Sequence, residues 1–482
     1  MSPFSLDSQL DLMRMESRLV EALYEHPGAM HRPRENALRY ALGLARVRTF
    51  QPGAAALGRR NQRPDVTVTN PALERYRRVV TEHVGPALRA RDTKKRLLGA
   101  AKAFDRVHVD LVEARDSVLS QYANDFSAKE LDQEVGRKTL VNVAGGGGGA
   151  GYVYVGAWEH LQAAGLVPGY VIGSSIGAVL GLFRALAREG DFDEYMAFAK
   201  GLSYDEIFRV VSVRARYGLP GVLRLFLHAA IGSRFQHASG RNLRLSDLEI
   251  PFESVVAGVR RGALSESPAE YAVSHHLPED RRPGPLELRA QVASQLVRAV
   301  GFFNPRMVRE IVIGADELTR EFDCVDAAGF SAAVPGVLHY DVSRPDARMH
   351  AVLSELMRRE EVVALVDGGV ANNVPANTAY RRVQEGVIGT RNAFYLGFDC
   401  FHPQTSLGHL ALHPIERIVS LQVALNQRYL HECIRFPRTL SPMNLLPSES
   451  EMDRAVRWGR EAMADRLGLV RKYFEEVRWI DD

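Results

Sequence analysis

Gly173-Ser174-Ser175-Ile176-Gly177 fits the pattern GxSxG, in which a serine sits on a sharp strand-to-helix turn with its hydroxyl exposed. Gly173 and Gly177 remove the Cβ atoms that would clash in such a turn. An apolar run, Tyr170 to Ile172, precedes the pattern, and a helical stripe of Ile176, Val179, Leu180, Phe183 and Leu186 follows it. The helix N-terminus then directs backbone N–H dipoles toward a developing negative charge. A second segment, Ala144 to Gly151, is almost all glycine and lies directly between an apolar run and an amphipathic helix. With no slack for a linker, it reads as a structured turn whose exposed N–H groups suit an oxyanion, either a tetrahedral intermediate or a phosphate. A third is Val366-Asp367-Gly368-Gly369, an aspartate at the end of a strand-like run. A carboxylate so placed in the same sheet can accept the serine proton as general base.

Competing chemistries are weaker. Gly146, Gly148 and Gly151 also satisfy GxGxxG, but the next strand ends in Ile172-Gly173-Ser174-Ser175, without the carboxylate that a dinucleotide ribose requires. A Ser-His-Asp triad is available in chain order through His402 or His413. A catalytically silent binding protein is the alternative from a different class.

The elements around these residues alternate. Leu140 to Ala144 and Tyr170 to Ile172 each run into a glycine turn and a helix, the signature of a parallel α/β sheet. Further strands are expected at Ser254 to Val259, Val362 to Val366 and Ala393 to Phe398, and helices at Ile415 to Cys433 and Met452 to Phe474. Three regions follow: a helical N-terminal region over 1–137, a catalytic domain over 138–400 and a helical C-terminal region over 401–482.

Residues 146–186 resemble the glycine-rich oxyanion loop, first helix and serine elbow of patatin-like phospholipases and lipid acyl hydrolases, and 365–379 resembles their aspartate motif. More loosely, 251–259 and 327–338 are similar to the segments between them. The resemblance implies an α/β fold, a three-layer α/β/α sandwich with a mostly parallel central sheet, and a Ser-Asp dyad hydrolysing fatty acyl esters of lipids, of phospholipase A or lysophospholipase type. It implies Ser175 as nucleophile, Asp367 as base and Gly146, Gly147 and Gly148 as oxyanion donors, with Gly151, Gly173, Gly177, Gly368 and Gly369 supporting the motifs. The chain departs at Ala150, where the family often carries Arg or Lys, which removes that phosphate-contacting or loop-orienting cation.

Composition sets outer bounds. An apolar fraction of 46% and a charged fraction of 25% are those of an ordinary globular protein. The three cysteines stand far apart, without zinc-ligand spacing, so no disulfide, metal or cofactor is expected. There is no signal peptide pattern and no apolar run of membrane-spanning length, which predicts a cytoplasmic protein. The net charge of +3 argues for no nucleic-acid partner. Between Arg59 and Lys102, however, twelve basic residues face four acidic ones, a local excess of eight that would favour peripheral association with an anionic membrane or micelle carrying the lipid substrate.

Overall fold

The computed structural model describes residues 6–209, 215–264, 295, 299–404 and 412–479. Its centre is a seven-stranded sheet of β1 (Thr139–Ala144), β2 (Tyr170–Ser174), β3 (Phe252–Arg260), β4 (Val308–Ile313), β5 (Val362–Asp367), β6 (Ala393–Asp399) and β7 (Glu432–Arg435). The order is β5-β3-β2-β1-β6-β7, with β4 also paired to β3. The pairs from β3 through β2, β1 and β6 to β7 are parallel, whereas β4 and β5 run antiparallel to β3. Strands β1 and β2, which lead into the glycine loop and the serine turn, are buried along their whole length, which explains why they read as apolar runs.

The helices that matter are α1 (Leu6–Glu25), α2 (Arg32–Arg46), α3 (Pro71–Leu88), α4 (Thr93–Gln121), α5 (Ala128–Gly136), α6 (Val153–Ala163), α7 (Ile176–Leu186), α8 (Cys324–Ser331), α9 (His413–Asn426) and α10 (Glu449–Phe474). Alternate strand residues feed opposite cores, as a period of two requires. Leu140, Ala144, Leu396 and Phe398 pack with Tyr154 and Trp158 of α6 and Met463 of α10. Val141, Val143, Ile172 and Tyr395 pack on the other face with Ala379, Val383 and the inner side of α9. Helices cover both faces of one sheet, so the fold is the expected three-layer α/β/α sandwich.

One expectation changes. The region after 400 is not wholly helical: α9 ends at Asn426, and Cys433, read as the end of a helix, lies in β7. Four residues bounded by charges give too short a period to register as a strand, and only pairing with β6 makes them one. The middle of the chain adds β4 and a small sheet of Phe208–Arg209, Gly221–Leu225 and Gly336–His339.

Helices α1 to α5 share their own core, including Leu19, Leu42, Tyr76, Val80 and Val107. They are tied to the sheet where buried Glu16 pairs with Arg46 and Lys138, each at 2.9 Å. The basic residues of 59–102 differ in their surroundings. Arg77 is buried and donates to the carbonyls of Ala45 and Val47, Arg63 pairs with Glu130, Arg75 pairs with Glu113, and Arg96 donates to the carbonyl of Arg18. Arg59, Arg78, Arg89, Arg91, Lys94, Lys95 and Lys102 remain exposed. Among the described residues, no helix is long and apolar enough to cross a membrane.

Candidate active site

Strand pairing brings the serine and the aspartate together. Residues 256–259 of β3 pair with both β4 and β5, so those two strands lie on opposite edges of β3. Strand β2 pairs with 252–255, overlapping β4 at 254–255, and so shares the edge taken by β5. Running in opposite directions along that edge, β2 and β5 meet tip to tip: Ser174 pairs with Val255 and Asp367 with Val256. Neighbouring positions on a strand are about 3.3 Å apart. The residue that leaves β2, Ser175, and the residue that ends β5, Asp367, therefore face each other across the join.

Ser175 has φ 54° and ψ −127°, a conformation that non-glycine residues rarely adopt and that a surrounding structure must enforce. The turn is enforced by close backbone approach. A Cβ on Gly173 would lie 2.4 Å from the carbonyl oxygen of Gly177, and one on Gly177 would lie 2.2 Å from that of Ala144. Helix α7 begins immediately after Ser175 and buries Ala178, Leu182 and Ala185 on one face.

The glycine loop lies against the serine: a Cβ on Gly146 would be 2.8 Å from Ser175 Cβ and 3.5 Å from its Oγ. Gly145 N donates to the carbonyl of Phe398 and Gly149 N to that of Pro442, whereas Gly146, Gly147 and Gly148 N–H groups donate to no backbone carbonyl among the described residues. Three successive N–H groups beside a serine hydroxyl can receive an oxyanion. The loop is fastened from behind by Tyr154, whose hydroxyl donates to the carbonyl of Gly145 at 3.0 Å, and by the Cys400 thiol, 3.6 Å from the carbonyl of Gly146. Gly151 packs on Ile176 of the serine turn, and Ala150 is buried in the α6–α10 core.

Asp367 is buried. Its Oδ1 accepts from Gly369 N–H at 2.7 Å, while Oδ2 meets no donor at full hydrogen-bonding geometry. Burial pushes its carboxyl up to about 7, against the opposing pull of the Ser175 hydroxyl and the Gly369 N–H. Gly368 permits the closeness of the two strand tips, since a Cβ there would lie 2.0 Å from the carbonyl of Val255 and 3.0 Å from Ser174 Oγ.

These residues open onto a cavity of about 260 Å³. Gly146, Gly147, Gly148, Ser175, Asp367 and Asn373 form its polar end, and the rest of its wall is largely apolar, with Phe183, Phe198, Phe208, Leu225 and Leu338 among the lining side chains. Much of that wall comes from the small second sheet and its flanks. No histidine is among the described lining residues. His402 Nδ1 stands 3.9 Å from Asp399, His413 Nε2 stands 3.0 Å from the carbonyl of Gln404, and neither lines the cavity beside Ser175.

Residues 143–380 match the family model described as Patatin-like phospholipase. This stretch belongs to the patatin-like phospholipase family. It runs from β1 past the aspartate loop and contains Ser175 and Asp367. Patatin-like proteins are generally lipid acyl hydrolases, which agrees with the apolar cavity. No curated protein matches the chain.

Three features of the patatin-like site escaped the motifs. Ser331, at the end of α8, accepts from Ser175 N–H at 2.9 Å and donates to the carbonyl of Val255 at 2.5 Å. The segment it opens also receives Asp367 N–H at the carbonyl of Ala333 and Gly368 N–H at its own carbonyl. Asn373 lies between Gly146 and Gly369, with Nδ2 3.0 and 3.2 Å from the positions their Cβ atoms would take. Both residues sat inside the segments compared with the family, but only pairing reveals their contacts. The third feature is the strap 441–445, beyond the matched stretch, which covers the outside of the glycine loop: a Cβ on Gly148 would lie 2.3 Å from the carbonyl of Pro442. Ser331→Ala leaves the Ser175 N–H buried without an acceptor, a loss of about 1–3 kcal/mol in positioning. We expect kcat to fall about 10- to 100-fold with KM nearly unchanged. Steady-state kinetics on a soluble ester checks that split.

Proposed function

We propose that the protein hydrolyses fatty acyl esters of lipids, in the manner of a phospholipase A or lysophospholipase, with Ser175 as nucleophile and Asp367 as its general base. The observation that carries this reading is the meeting of a strained serine and a buried carboxylate at the polar end of an apolar cavity. The Ser175 proton passes to Asp367 while Oγ attacks the ester carbonyl carbon, and the resulting oxyanion rests on the N–H groups of Gly146, Gly147 and Gly148. As the tetrahedral intermediate collapses, the protonated Asp367 gives its proton to the departing alkoxide and the acyl group remains on Ser175. Water then repeats the sequence, losing its proton to Asp367, and the fatty acid leaves.

A fluorophosphonate probe, followed by peptide mapping, should label Ser175, and lipid profiling should show fatty acid released by wild type. Label on another residue, or no ester turnover across phospholipids, lysophospholipids and neutral lipids, would overturn the reading and favour a silent lipid-binding protein.

The base must be ionised to act. With its carboxyl held up to about 7, kcat/KM should rise as pH increases through that value and level off above it. An ordinary carboxylate would place the rise near 4. A pH–rate profile on a substrate without ionisable groups distinguishes the two.

A further inference from the structure

We infer that α9 is the element on which the protein lies when it meets an anionic lipid surface. This rests on the lipid-hydrolase reading for its purpose, but on separate observations for its place. Helix α9 has two faces. Ile415 and Val419 point inward and line the apolar cavity. On the outside, Leu421 and Leu425 are 67% and 77% exposed, among the most exposed large apolar side chains in the structure. They stand four residues apart and so make one patch along the helix.

Charge completes the outer face. Arg417 lies one turn before Leu421, and Arg428, stacked on Tyr429 and 4.0 Å from Asp7, lies just past the helix end; both are exposed. The one acidic residue of the helix, Glu416, is fully buried on the other side. Leucines flanked by arginines on one face of a helix suit the boundary between lipid tails and anionic head groups, where the leucines enter and the cations meet phosphate. The same helix is the cavity wall, so an acyl chain leaving the surface would pass beside an element already seated in it.

The helix is also bonded to the aspartate loop. Gln422 donates to the carbonyl of Val370 at 3.0 Å, and Asn426 donates to Asn372 Oδ1 at 2.8 Å. Both acceptors lie within a few residues of Asp367, so a lipid contact on α9 bears on the loop carrying the base.

The test uses the full chain in a Ser175→Ala background, so that vesicles stay intact. Wild-type surface and Leu421→Asp/Leu425→Asp are compared by flotation with vesicles of phosphatidylcholine plus phosphatidylglycerol and of phosphatidylcholine alone. Burying a leucine is worth about tenfold or more in affinity, so the double substitution should weaken binding about a hundredfold. Binding of the unchanged surface should be stronger on the anionic vesicles and fall with salt. In the Ser175 protein, the same pair should leave soluble-ester turnover and melting temperature unchanged while hydrolysis of vesicle lipid drops. Leu421→Trp supplies a direct reading: its fluorescence, taken as a difference from the unsubstituted protein, should shift to the blue on anionic vesicles.

Unchanged vesicle binding by the double variant, or no fluorescence shift in the Leu421→Trp protein, overturns the proposal. So does loss of binding on reversing Lys94, Lys95 and Lys102 but not on replacing the leucines, which would move the contact to α4. A dimer in solution that the leucine substitutions dissociate, with vesicle binding intact, would assign the face to a second copy of this chain. Because binding is read in inactive protein, failure here is distinct from failure of the hydrolase reading.

Discussion

Ser175→Ala and Asp367→Asn should each abolish ester hydrolysis, and the double variant should be no worse than either single one. The two groups act in one step: without Asp367 the serine keeps its proton, and without Ser175 the carboxylate has nothing to activate. Residues that work as a unit lose about four or more orders of magnitude singly, and their losses do not add. Single-turnover assays on a soluble ester, with label incorporation as a second reading, check this. Substantial turnover in purified Ser175→Ala would place the nucleophile elsewhere.

Asp367→Asn should do something further, of opposite sign, to stability. The folded protein holds this carboxyl at about 7, above its unfolded value, so ionising it works against the fold. Its protonation favours the native state below the unfolded value, and that advantage is lost as pH rises through about 7. Asparagine remains neutral and can still accept from Gly369 N–H. The variant should therefore be more stable than wild type at pH 8, by roughly 4 kcal/mol at most for a shift of about three units, and lose that advantage as pH falls toward 4. Denaturant unfolding at several pH values measures it. A variant that is dead and also less stable at pH 8 would mean that the carboxylate is held by a partner rather than strained.

The second large effect is expected where α6 and α10 cross, behind the glycine loop. A Cβ on Gly459 would lie 1.8 Å from the carbonyl oxygen of Val153, and one on Gly156 would lie 1.8 Å from that of Val456. Backbone meets backbone at both points, so a side chain cannot rotate away and the helices must part. Their separation would open the core that Tyr154 and Trp158 share with Met452 and Met463. Gly459→Ala should cost about 2–4 kcal/mol, and Gly459→Leu should prevent stable folding. Arg457→Ala, on the exposed face of α10, should stay within about 0.5 kcal/mol of wild type.

The consequence for activity is specific. The strap 441–445 precedes α10 and rests on Gly148 and Gly149, with Gly149 N–H donating to the carbonyl of Pro442. Gly459→Ala that retains its fold should therefore lose turnover in proportion to strap displacement, although it lies outside the stretch matched to the family. Thermal melts beside kinetics on the same preparations test both claims. A Gly459→Ala protein with wild-type melting and turnover would show that the crossing has room.

What the sequence determined by itself was local. Leu140 to Ala144 and Tyr170 to Ile172 are apolar runs that stop at glycine, and a helical stripe follows each, so strand, turn and helix can be read from a few neighbouring residues. The serine elbow, the glycine loop and the strand-end aspartate were legible for the same reason. Backbone strain and steric exclusion act within a turn, and they leave glycine where they act.

Only the tertiary structure decided how these pieces meet. That β2 and β5 share one edge of β3 depends on register across strands distant in sequence, and no residue period encodes it. Strand β4 carries Arg309 and Glu310, and β7 begins at Glu432 and ends at Arg435, so neither resembles an apolar run; both are edge strands defined by the partner they pair with. Ser331 joins the distant Ser175 N–H to the carbonyl of Val255, a link that a serine near the end of a helix does not announce in sequence. The basic segment illustrates the converse limit: counting charges could not tell that Arg77 is buried against two carbonyls while Lys94 and Lys95 face water. Burial follows from which face of a helix the rest of the chain covers, and that is settled only when the chain has folded.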